Sequence, residues 1–160
     1  MTLIRHALLG AFLLIASAAT PLYALEAGDF PAPGFRVIDT PHGFGALVKK
    51  LNSAIKGNGM AAVTRASATK GAASLGVTIP GNMVIGVYHP KFAVRMLEAS
   101  IPAGVEAPLI FYITENADGT ASLSYRKPSA VFAPYGSDDL DTMAAELDII
   151  FAAIATAATK

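Results

Sequence analysis

The chain has 160 residues, with 12 basic and 12 acidic side chains and no cysteine. That balance leaves no electrostatic case for nucleic acid or for an anionic membrane surface. The missing thiols exclude disulfides, thiolate metal sites, thiol catalysis and covalent haem attachment.

The first stretch, "MTLIRHALLGAFLLIASAATPLYA", has a short basic start at Arg5, an apolar run from Ala7 to Ala19, and a small-residue segment ending at Ala24. This is the layout of a secretory signal peptide cleaved after Ala24, which implies a periplasmic or secreted protein. The apolar run ends at Pro21 and falls short of the ~20 residues a membrane span needs, so no stable span is expected after cleavage. The rest of the chain, 25 to 160, is the size of one ordinary domain with a real core.

Residues 25–34, "LEAGDFPAPG", read as a flexible lead-in, because proline and glycine punctuate them. The single domain then spans 35–157. "FRVID" alternates apolar and polar positions, which predicts a first strand. Thr40 before Pro41 reads as a helix start, with the hydroxyl capping free amides. In the helix that follows, Phe44, Leu47, Val48, Leu51 and Ile55 form one apolar stripe, and Gly57, Asn58 and Gly59 stop it. "MAAVTRAS" predicts a second strand and "ATKGAASLG" a short helix.

"NMVIGVY", residues 82–88, is apolar enough for a buried strand. Pro90 fits a first helical position and cannot donate to a sheet ladder, so the strand ends near His89 and a short helix bearing Phe92, Met96 and Leu97 begins. "LIFYIT" and "ASLSYR" flank "ENADGT", and Asp118-Gly119 predicts a β-hairpin with a tight primed turn. In its second strand Leu123 and Tyr125 face one way, while Ser122, Ser124 and Arg126 face the other, predicted to be wet. Ser137 caps a last helix, with Asp138 and Asp139 in the first turn, where the helix dipole favours negative charge. Its stripe of Leu140, Met143, Leu147, Ile150, Phe151 and Ile154 is the longest in the chain. The economical architecture is α+β in two layers: an antiparallel sheet of about five strands with helices packed on one face.

Only two histidines, His42 and His89, lie outside the leader. His89 sits at a strand-to-helix corner, where an imidazole could bind a ligand or move a proton, or simply bond a neighbouring backbone group. His42 is expected in the first turn of the helix that Thr40 starts, where Gly43 and Gly45 beside it leave the backbone open to a ligand, or where it is merely solvated. With no Cys and no His-x-Glu spacing, the two histidines make no metal signature; a weak metal or acid/base pair would be His89 with Glu115, or with Glu98. Arg95 and Glu98, three apart, could pair on a helix surface. Tyr88, Lys91 and Tyr125 complete the candidate ligand-binding residues, since tyrosines in strands line either pockets or core edges. No dinucleotide fingerprint, Walker sequence or nucleophile elbow is present, so the sequence proposes no cofactor.

Taken together, "VYHPKFAVRMLEASIPAGVEAPLIFYITENADGTASLSYRKPSAV" resembles the core of the domain-of-unknown-function 302 family. The matching positions are Pro90 and Lys91, Met96 and Leu97, Pro108, Glu115 with Asp118-Gly119, then Ser124, Tyr125 and Pro128. The resemblance implies a TATA-binding-protein-like β-α-β4-α architecture with an extra short helix. It supplies no activity. The chain departs from the family pattern at His89, where relatives carry Asn, and at Ser67 and Ala68, where they carry an Asp-His pair. An amide at the corner implies a strand-ending, helix-starting hydrogen bond that His89 inherits. These readings lead to a non-catalytic domain binding a small apolar or amphipathic ligand, or a second copy of itself, in a groove between helices and sheet. The alternatives are an enzyme or metal-dependent protein built on His89, and a cell-envelope interaction module.

Overall fold

The computed structural model describes residues 25–160. The proposed signal peptide and its cleavage after Ala24 lie outside the described residues, apart from the first residue beyond the cut. The elements in order are β1 (Phe35–Thr40), α1 (Phe44–Gly57), β2 (Ala61–Ala66), α2 (Ala68–Ser74), β3 (Asn82–Tyr88), α3 (Pro90–Ala99), β4 (Leu109–Glu115), β5 (Ala121–Arg126), α4 (Pro128–Phe132) and α5 (Asp138–Thr159). Short 3-10 turns cover Ala27–Asp29, Ile101–Glu106 and Ala133–Tyr135.

The five strands form one sheet in the order β1-β5-β4-β3-β2, every neighbouring pair antiparallel. Helices α1 and α5 pack together and against one face of it, giving the two-layer α+β architecture. The period-two register decides which side chains they cover: Phe111 stands opposite Tyr125 and Ile113 opposite Leu123. These meet Leu47, Leu51 and Ile55 of α1 and Leu140, Leu147, Phe151 and Ile154 of α5 in a single core. The Phe111 and Phe151 rings stack at 4.8 Å, an aromatic pair worth about 0.5–1.5 kcal/mol beyond its burial. Helix α5 has the length and apolar composition of a membrane span. Here its stripe is buried in the core.

Several details differ from the sequence reading. Thr40 does not start α1. Its hydroxyl donates to the Ala121 carbonyl across the sheet at 2.7 Å and accepts from the His42 amide at 3.2 Å. The helix begins at Phe44 behind Gly43, which puts His42 in the turn before it. The hairpin turn is not primed either, because Asp118 has no positive φ. The Gly119 amide instead donates to the Asn116 carbonyl, and Gly119 alone takes the left-handed region at φ 83°, the pattern of a four-residue turn closed by a left-handed glycine.

Ser122 and Ser124 are buried rather than wet, at 1% and 2% exposure. Both are small, and each hydroxyl has a cross-strand partner: Asp39 Oδ1 at 2.6 Å and the Tyr112 carbonyl at 3.4 Å. The lead-in is tied down. Phe30 stacks on Phe35 at 4.0 Å, Lys127 N–H donates to the Gly34 carbonyl, and Arg126 Nε donates to the Pro33 carbonyl at 3.0 Å. Arg95 pairs not with Glu98 but with Glu146 on α5, through two hydrogen bonds of 2.7 and 2.8 Å. Helix α4 was not foreseen. Asp148 of α5 caps it by accepting from the Ser129 amide and hydroxyl at 2.9 and 2.7 Å.

Candidate functional site

The corner after β3 is built by two adjacent residues. Pro90 ends the ladder and opens α3, and His89 in extended backbone caps that helix. The His89 Nδ1 accepts the Lys91 amide proton at 3.1 Å, and the His89 carbonyl accepts from the Phe92 and Ala93 amides. This is the strand-ending, helix-starting hydrogen bond expected of an amide at the same place. Because Nδ1 must keep its lone pair to accept, the ring proton sits on Nε2 in this arrangement. The Phe92 ring meets the imidazole edge-on at 5.9 Å, and the Arg95 guanidinium lies over that phenyl ring at 5.6 Å.

Below His89 is a cavity of about 30 Å³, lined by Tyr88, Met60, Met96, Met143, Phe132 and Leu147 among others. Met60 precedes β2, Met96 is on α3 and Met143 on α5, so three separate parts of the chain close it. No acidic side chain lines it. On the usual scale the volume admits about two water molecules.

A second cavity, of about 230 Å³, opens at the end of the sheet where β4 begins and β5 ends. Phe35, Ile110, Tyr112 and Ser124 bring it onto the sheet face opposite α1 and α5, along the row in which Val37 pairs Ser124, Ser124 pairs Tyr112 and Tyr112 pairs Val84. Its charged members are Glu106 and Arg126. Glu106 Oε1 accepts the Tyr135 hydroxyl proton at 2.8 Å. The hydrogen bond to this carboxylate, then desolvation, pushes the Tyr135 phenol above its ordinary value and keeps it a donor.

The candidates read from the sequence are therefore scattered. Tyr88 and His89 line the first cavity. Tyr125 lines the second, though its ring packs between Phe111 and Phe151 and burial raises its phenol. Lys91 is exposed on the first turn of α3, contributing its amide to the cap. His42 Nε2 lies 2.9 Å from the Lys160 carbonyl oxygen, which Lys50 Nζ also reaches at 2.7 Å. Glu115 is not near His89. Its Oε2 accepts from the Gly81 amide at 2.6 Å, at the other end of β3 and roughly 25 Å away at ~3.3 Å per strand residue. Glu98 is exposed on α3. Among the described residues no group of three His, Asp or Glu side chains is placed to hold a metal ion. Sequence reasoning missed Glu106, Arg126 and the three methionines, whose spacing along the chain follows no single stripe.

The family model for the domain of unknown function DUF302 matches residues 37–157. The chain belongs to the DUF302 family. The fold agrees: the crystal structure of an uncharacterised conserved DUF302 protein from Bacillus stearothermophilus superimposes with a TM-score of 0.72. It is 19% identical, and the match covers 81% of this chain and 100% of that one. No curated protein matches this chain. Within the DUF302 architecture, His89 takes a capping position that any good acceptor can fill, and its imidazole adds a second nitrogen that an amide would lack.

Proposed function

We propose that the protein is an exported, non-catalytic binding domain for a small amphipathic molecule, held in the sheet-end cavity. The observation that carries this reading is the pairing of apolar walls with two opposite charges, Glu106 and Arg126, around a space of about 230 Å³. A pocket that is mostly apolar with a few polar groups is the usual form of a small-molecule site. Phe35, Pro108, Ile110 and Val131 would hold the apolar body, Arg126 an acidic head, and Glu106, itself held by the Tyr135 hydroxyl, a hydrogen-bonding edge. The cavity under His89 is too small for such a molecule. It also lacks the neighbouring carboxylate that an acid/base enzyme built on His89 would need.

The test uses 1-anilinonaphthalene-8-sulfonate, a flat apolar body with one anionic group. Saturable one-to-one binding is expected, weakened about tenfold by Arg126→Gln, the loss of one charge-assisted contact, and abolished by Ile110→Asp. Binding that is non-saturable, or indifferent to Ile110→Asp in a folded variant, contradicts the reading. A second reading, self-association through the same face, rests on Ile110 being 51% exposed near the start of the middle strand of an open sheet. Native mass spectrometry at micromolar concentration separates the two: a ligand adds mass to a monomer, and self-association doubles it.

A further inference from the structure

We infer that the cavity under His89 is a site for a single copper(I) ion, held by the thioether sulfurs of Met60, Met96 and Met143 and by the Nε2 of His89. The chain has five methionines, and of the four beyond the first residue three line this one cavity. They arrive from different elements, all nearly or fully buried at 7%, 4% and 1% exposure.

Size and chemistry then choose the occupant. At about 30 Å³ the space suits an ion rather than an organic molecule. The donors are uncharged: thioethers, and an imidazole whose Nδ1 is committed to the Lys91 amide. While Nδ1 accepts the Lys91 amide proton, the neutral ring carries its own proton on Nε2. Nε2 can ligate only after that proton has moved to Nδ1, which breaks the Lys91 bond and leaves the ring neutral, with no net proton released. The helix cap and the metal bond therefore compete for the same ring, and binding loosens the first turn of α3.

Soft thioethers select copper(I) over hard and borderline divalent ions. The absence of any acidic side chain from the lining points the same way, because the cost of burying an ion rises with the square of its charge and no carboxylate offsets a second charge. A chain without cysteine has no thiolate to offer, so thioethers are its soft donors. Methionine also serves as an ordinary gap-filler in cores, and that bland role is what the experiment must defeat.

The experiment titrates the purified protein with copper(I) under ascorbate and nitrogen, against a chromophoric copper(I) chelator. One equivalent is expected to bind, and zinc(II) is not expected to displace it. Met96→Leu and Met143→Leu, which conserve volume, each weaken binding by about tenfold, the loss of one ligand from a small soft set. His89→Asn keeps a side-chain acceptor at the cap and weakens binding by a similar factor. Met83→Leu, outside the cavity lining, leaves it unchanged. Thermal unfolding of each apo variant verifies that it is folded. Failure to hold copper(I) at micromolar concentration, or undiminished binding by a folded Met96→Leu/Met143→Leu double variant, overturns the inference. Because the probe in the sheet-end cavity is organic and its variants are different residues, that reading stands or falls separately.

Discussion

Two cavities touch the same residue, Leu109 at the start of β4, and differ in what they could hold. The one under His89 is small, lies between the end of β3, α3 and α5, and has Tyr88 and His89 as its polar side chains, with no carboxylate. The one at the sheet end is several times larger, lies partly on the face the long helices leave open, and carries both a carboxylate and a guanidinium. A two-layer fold produces this asymmetry directly. On its covered face, space survives only where side chains from different elements fail to meet, and flexible methionines fill such gaps. On its open face, space is bounded by loops and short helices, where polar groups stay hydrated without cost.

The comparison can be broken or sharpened by substitutions that act on one cavity, on both, or on neither. The largest effect is expected from Phe111→Ala, which removes the ring stacked on Phe151 and fully buried in the shared core. It should lower stability by about 3–5 kcal/mol in chemical denaturation. A loss below about 1 kcal/mol would mean that this core does not hold the two layers together.

Gly86→Ala comes next. An added methyl group would collide with the Thr64 hydroxyl and come within 2.7 Å of Pro108 Cγ, with backbone pairing on both sides of β3. Pro108 lines only the larger cavity. The variant should lose about 1–3 kcal/mol and weaken binding of the naphthalene probe while leaving copper(I) binding intact. Equal losses at both cavities would show that they are not independent.

His89→Ala should cost about 1 kcal/mol through the lost cap, and His89→Asn should restore most of it. Neither change should touch probe binding, since His89 does not line the larger cavity. If Asn and Ala are equally destabilising, the cap is not what the ring contributes.

The smallest effect belongs to Glu146 of α5, whose carboxylate pairs with Arg95 of α3 on an exposed surface. The hydrogen bond from Arg95, the largest cause, holds its carboxyl below the ordinary value. A carboxyl depressed by folding adds stability that is present above its unfolded-state value and is lost as the pH falls through the lower, folded value. Glu146→Gln should therefore flatten the acid side of the stability profile slightly at low salt, with the difference disappearing at high salt because the pair is exposed. An unchanged profile at low salt would show that the pair does not couple α3 to α5.

Much of the fold was legible in the sequence because it rests on local periodicity. The stripe of α1, the apolar run of β3, the Ser137 start of α5 and the hairpin around Asp118-Gly119 all signal themselves over a few residues. The errors came from distant partners. Thr40 read as a helix cap because Ala121, its real acceptor, lies far along the chain. Ser122 and Ser124 read as wet because alternation alone does not reveal that Asp39 and the Tyr112 carbonyl take up their hydroxyls. The site was legible only at His89, where Pro90 fixes the corner locally. Met60, Met96 and Met143 each look like ordinary apolar residues in their own segments, and only the packing of α3 and α5 around the end of β3 brings them to one cavity. Glu106 precedes β4 and Arg126 is the last residue of β5, so their common cavity likewise depends on sheet register.

The most direct measurement is a methyl NMR titration of the protein labelled with carbon-13 at the methionine methyl groups, with copper(I) added first and the naphthalene probe second. The account predicts that the Met60, Met96 and Met143 signals move together and saturate at one equivalent of copper(I), while Met83 stays in place, and that the probe then moves none of the three. Methionine signals that ignore copper(I), or that follow the organic probe instead, would contradict the division between the two cavities.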